Sequence, residues 1–180
     1  MADPSLKRFF NRLIRLSFVD LGIRDEPSAE HISSMLTRFT RTEQLYAIRG
    51  ARGERLETIA DLLIEIQRAW DFQAADFDPF RERAFRQQIG DYTLFMTGLF
   101  REHVERAAAV GYYVREGKRA YHVVSKIDRS APRPEASLFS TLAERFERYA
   151  GALNYMRKVH LRPELASGPY QDTLRHLTEW

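Results

Sequence analysis

The sequence predicts an all-α fold, a single-domain bundle of six to seven helices over residues 1–180. Three observations carry that expectation. Apolar residues recur at spacings of three and four along almost the whole chain, the period of a helix with one buried face. Two Asp-Pro pairs, Asp3-Pro4 and Asp78-Pro79, combine an N-cap with proline at the first helical position. Only the flanks of the turn "RGARGER" leave room for sheet, as one small β-hairpin near residues 46–58.

The first helix starts at Asp3-Pro4 and carries Leu6, Phe9, Phe10, Leu13, Ile14 and Leu21 on one face. Lys7, Arg8, Arg12 and Arg15 make its other side basic, which suits anionic lipid. Its apolar stripe is no broader than a core helix needs, so burial of the phenylalanines against a neighbouring helix is the stronger expectation. After the turn-rich passage "IRDEPSAEH", a second helix over about residues 29–39 buries Ile32, Met35, Leu36 and Phe39. Thr42 caps a short helix, "EQLYAI", and a longer one over about 54–70 aligns Leu56, Ile59, Leu63, Ile66 and Trp70. Helical spacing resumes at Asp78-Pro79 and continues to about residue 109. It returns over 112–127 and again over 135–160, through Leu138, Leu142, Phe146, Leu153 and Met156. A short C-terminal helix within 169–180 offers Leu174, Leu177 and Trp180 as a clasp.

Composition excludes several classes. The chain holds 28 basic and 25 acidic residues, interleaved within single turns as in "ERFERY" and "RERAFR", for a net charge of +3. Paired, solvated faces follow from that pattern, whereas a nucleic-acid binder segregates its basic residues. With no cysteine there is no disulfide framework, thiolate nucleophile or Cys-based metal site. The opening residues lack the apolar run of a signal peptide, and no window approaches the ~18 apolar residues of a membrane span. A soluble, cytoplasmic protein is the expectation.

One stretch stands apart. In "GDYTLFMTGLF", Tyr92, Phe95, Met96, Leu99 and Phe100 form one large-residue stripe, while Gly90, Thr93, Thr97 and Gly98 make the opposite face small and uncharged. A glycine inside a helix costs about 1 kcal/mol relative to alanine, so two of them imply close approach of something. A neighbouring helix is the plain expectation, and a flat ligand lying across the glycines is the alternative. Tyr113, Gly117 and Tyr121 make a second notch at i, i+4 and i+8. If the two notches meet, they would frame an aromatic pocket. His103, three residues beyond Phe100, belongs to the large-residue stripe as a core histidine or an axial ligand.

Tests for catalytic chemistry come back empty. No histidine follows an acidic residue by three positions, as di-iron bundles require, and no HExxH zinc motif occurs. Helical ribonucleases of the HEPN type place an arginine a few residues before a histidine. Arg24 with His31 and Arg115 with His122 fit that spacing, but about two such pairs arise by chance in a chain this rich in arginine. No Ser-His-Asp set, P-loop or dinucleotide fingerprint is present. No cofactor or metal is therefore expected.

Glu57, Asp61 and Glu65 form an acidic row at i, i+4 and i+8, a self-repelling arrangement that calls for arginines from a neighbouring helix or subunit. The leading expectation is a non-enzymatic protein–protein interaction or regulatory module that self-associates, with that row as a docking element. A bundle holding a small apolar or planar ligand, possible enzymatic turnover included, is the alternative, between the Gly90–Gly98 and Tyr113–Tyr121 faces. A weaker one is phosphate or nucleic-acid binding through Arg49, Arg52, Arg115, Lys118 and Arg119.

Overall fold

The computed structural model describes residues 4–40 and 79–161. Over them the protein is an all-α bundle: α1 (Pro4–Asp20), α2 (Glu26–Phe39), α3 (Pro79–Leu99), α4 (Arg101–Arg106), α5 (Val110–Ser130), α6 (Ala136–Glu144) and α7 (Phe146–Val159). No strand occurs among the described residues. The helix expected after Thr42, the hairpin near 46–58, the helix over 54–70 and the clasp within 169–180 lie outside them.

α1 and α2 form an antiparallel hairpin. Gly22 turns the chain at φ +63, and Asp25 then caps α2, its carboxylate accepting from the Ser28 backbone N–H at 3.1 Å. With Pro27 also in the first turn, α2 begins three residues before its apolar stripe does. Periodicity alone therefore places its start too late, because the cap residues are polar. Ion pairs from Lys7 to Glu30 and from Arg15 to Glu26 tie the hairpin's outer edge.

α3 is the central helix, packed along α5 and α7 and reaching α2. The continuous helical pattern expected from 79 to 109 is two helices, separated at Phe100 (φ −111, ψ 34), and Ala108 at φ 51 then turns the chain into α5. The pattern over 135–160 is likewise divided, at Arg145 (φ −108, ψ 20). Both breaks leave the flanking aromatics, Phe100 and Phe146, buried. A change of helix direction that keeps its apolar residues inside leaves no trace in the spacing. The break at Phe100 corrects the expectation for His103. The stripe does not continue past it: Val104 takes the buried position and His103 is exposed.

Both faces of α3 are covered. Phe95 and Leu99 are buried on the large side, Thr93 and Thr97 on the small side. The two threonine hydroxyls donate to carbonyls of their own helix, Thr93 to Ile89 at 2.7 Å and Thr97 to Thr93 at 2.6 Å. Ser17, Ser33 and Thr37 do the same in α1 and α2. Small polar residues thus line the helix crossings without needing a partner across them.

The glycines admit neighbours. A Cβ on Gly90 would lie 2.5 Å from the Tyr121 ring, and one on Gly98 would lie 2.5 Å from Leu153 Cβ. One on Gly117 would meet Thr93 and, at 2.5 Å, the Phe146 ring. Gly90→Ala is therefore expected to destabilise the fold by about 1–3 kcal/mol through overpacking. Gly151→Ala, at an exposed helical position with nothing within 4 Å, should be neutral or stabilising by up to ~1 kcal/mol. Urea unfolding of the two variants measures both.

Candidate functional site

The most concentrated chemistry lies around Asp91, one turn into the buried part of α3. Its carboxylate is fully buried. Oδ1 accepts from the Tyr121 hydroxyl of α5 at 2.7 Å and lies 2.8 Å from His31 Nε2 of α2. Oδ2 accepts from the Arg38 guanidinium, also of α2, and from Gln87 Nε2 at 3.5 Å. His31 and Arg38 are seven residues apart and so share one face of α2; Gln87 and Asp91 are one turn apart on α3.

Gln87 extends the network. Its Oε1 accepts from Arg83 Nη1 at 3.1 Å, and Arg83 grips the fully buried Asp128 of α5 with two bonds, Nε to Oδ1 at 2.5 Å and Nη2 to Oδ2 at 2.8 Å. The same guanidinium lies over the Phe139 ring of α6, 5.3 Å from its centroid. Phe139 in turn meets His31 edge-on, with ring centroids 5.4 Å apart. A chain of charge therefore runs along α3 from α2 to the end of α5.

Electrostatics sets what this network does. Burial is the largest influence on Asp91 and alone would raise its pKa. The His31 charge and hydrogen bond, together with Arg38 and the Tyr121 hydroxyl, outweigh it and hold Asp91 at about 2. The Tyr121 hydroxyl is driven the other way, first by burial and then by the Asp91 charge, so it remains a donor. Arg83 is raised by its hydrogen bond to Asp128. A carboxylate whose oxygens both accept hydrogen bonds and whose pKa is near 2 is a poor proton acceptor at neutral pH, where a general base works with a pKa near 7. The cluster is built to hold helices together and keep a charge inside.

The residues singled out from sequence fall in three places. Gly90 and Thr93 come together with Tyr121 and Gly117, where the Tyr121 and Phe146 rings fill the space, while Gly98 faces Leu153 of α7 and Thr97 is buried. Tyr113 is half-buried beside Tyr92, at a centroid distance of 6.2 Å. His103 and His122 are exposed. Among the phosphate candidates, Arg115 pairs with Glu116 at 3.3 Å and Lys118 with Glu147 at 3.1 Å, while Arg119 is exposed. Arg49, Arg52, Glu57, Asp61 and Glu65 lie outside the described residues. Asp91, Asp128 and Arg83 escaped notice in the sequence. The signal available was an acid directly after Gly90, inside a stretch with no exposed face.

A surface of α1 remains open. The outer side of α1 borders a cleft of about 390 Å³ lined by Arg8, Asn11, Arg12, Arg15, Leu16 and Val19. Arg15 and Val19 also line a second cleft, of about 440 Å³, that continues over Phe18, Ile23 and Arg24 to the start of α2. Val19 is 77% exposed and Leu16 41%. Together they form a groove with an apolar floor, rimmed by arginines and, at its α2 end, by Asp25 and Glu26. Among the described residues no group of His, Asp or Glu is arranged to hold a metal, and no helix is long and apolar enough to cross a membrane.

The chain matches no known protein family, no curated protein and no solved structure. The functional reading rests on its own geometry.

Asp91 has the depressed pKa of a group whose charge stabilises the fold. Its contribution is present above the ordinary carboxylate value of 3.8 and is lost as pH falls towards about 2. Asp91→Asn removes the counter-charge of Arg38 and weakens the acceptor that Tyr121 and His31 share, and is expected to cost about 1–3 kcal/mol at neutral pH. The variant should also lose part of the acid-induced fall in stability between pH 4 and 2. Denaturant titrations across that range, followed by circular dichroism, check both.

Proposed function

We propose that this protein is a helical protein–protein interaction module, regulatory rather than catalytic, that self-associates. The observation that carries the reading is the open groove on α1. Elsewhere the conspicuous buried features are already occupied: the glycine notches by side chains, the buried acids by arginine, histidine and tyrosine. The groove combines exposed apolar residues with a line of arginines, a composition typical of binding surfaces, where arginine is enriched and apolar contacts anchor. Grooves of this kind take amphipathic helices.

A charge placed on the groove floor tests this. Val19→Glu should leave thermal unfolding unchanged, because Val19 is exposed, and should weaken self-association by about tenfold or more. Sedimentation velocity over a concentration series reads the effect. A wild-type protein that stays monomeric at every concentration would remove self-association from the reading.

A further inference from the structure

We infer that the outer face of α5 binds a nucleic-acid strand through its phosphates, a role separate from that of the α1 groove. Arg115, Arg119, His122, Lys126 and Arg129 follow one another at steps of four, three, four and three residues. That alternation keeps to one face of a helix, here over about 21 Å. All five residues are exposed. The acids of α5 are not on this face. Glu116 is 8% exposed and Asp128 is fully buried against Arg83. Acids and bases that interleave in the sequence are thus separated by folding, which is the segregation a nucleic-acid surface requires.

Neighbouring acids neutralise only part of the stripe. Arg115 pairs with Glu116, and Lys118 at its edge pairs with Glu147 of α7. Glu144 of α6 accepts from the Ser140 hydroxyl, which itself accepts from Arg129. Arg119, His122 and Lys126 make no ion pair among the described residues. Like charges one turn apart repel, so the centre of the stripe is relieved by an anion from outside.

The class of partner follows from what the face lacks. The apolar side of α5, with Tyr121 and Val124, is buried in the core, so none is left to lie on a membrane. Of its large apolar residues only Tyr112 is exposed, at one end, so a protein partner would find no apolar anchor at the centre. A phosphate chain needs neither. A duplex as long as the stripe carries about a dozen negative charges. Tyr112, with the Arg115 guanidinium 5.6 Å from its ring centroid, adds a surface on which an unpaired base can stack.

The test is fluorescence anisotropy of labelled mixed-sequence DNA about 20 nucleotides long, single-stranded and duplex, over a salt series. Wild-type binding should weaken linearly in log salt, with a slope of about −3 on duplex from Arg119, Lys126 and Arg129. Arg119→Glu with Lys126→Glu should bind about tenfold or more weakly and keep the wild-type circular dichroism, because both residues are exposed. Arg106→Glu with Lys158→Glu makes the same change in net charge outside the stripe and should bind like wild type. No wild-type binding at low salt, a flat salt response, or equal losses in the two double variants overturns the inference. Capture of the wild type by vesicles containing about a third phosphatidylserine, with DNA left unbound, overturns it in favour of a lipid surface.

Discussion

The bundle is organised around a negative charge that water cannot reach. Apolar burial holds helices together without telling them how to face one another. Asp91 supplies that direction: it demands donors, and it finds them on α2, on α5 and one turn back on its own helix. Leaving such a charge unpaired is far costlier than losing an ordinary contact, so the arrangement of these three helices is tied to its partners. Asp128 plays the same part at the far end of α5 through Arg83. Asp25 repeats it on a smaller scale, capping α2 while accepting from the Tyr149 hydroxyl of α7. Burial first, and then this hydrogen bond, push the Tyr149 hydroxyl up to about 12, which keeps it a donor.

Much of this fold was legible in the sequence. The all-α class, the start of α1 at Pro4, the start of α3 at Pro79 and the coverage of α3 on both sides follow from spacing, capping and the glycine–threonine face. What spacing could not show is where a helix changes direction while its apolar residues stay inside, as at Phe100 and Arg145. His103 was misplaced for that reason. The start of α2 was read late because its cap, Asp25, and Pro27 lie within a passage that looks like turn. The buried network was invisible for a different reason. Asp91 and Tyr121 are distant in sequence from His31 and Arg38 and from each other, and each resembles an ordinary surface or core residue until the helices are packed.

The two sides of α1 show how one helix can serve fold and recognition together. Phe10, Ile14 and Phe18 are buried in the core, while Leu16 and Val19 look outward between arginines. Sequence periodicity identifies the first set because it follows the helical repeat. It misses the second, because two apolar residues among charges fall below any stripe that spacing would pick out. A groove is a property of neighbouring surfaces, and the part of this one that runs over Ile23 is bounded by the start of α2 as well as by α1.

Tyr121 carries a consequence of its own. Its ring fills the space left by Gly90, and its hydroxyl supplies one of the donors that Asp91 requires. Positions 90, 91 and 121 therefore cannot drift independently. A larger residue at 90 demands a smaller one at 121, which withdraws the hydroxyl and leaves the carboxylate at 91 short of a partner. Changes at the three positions are therefore coupled, and their costs should not add as those of independent sites do.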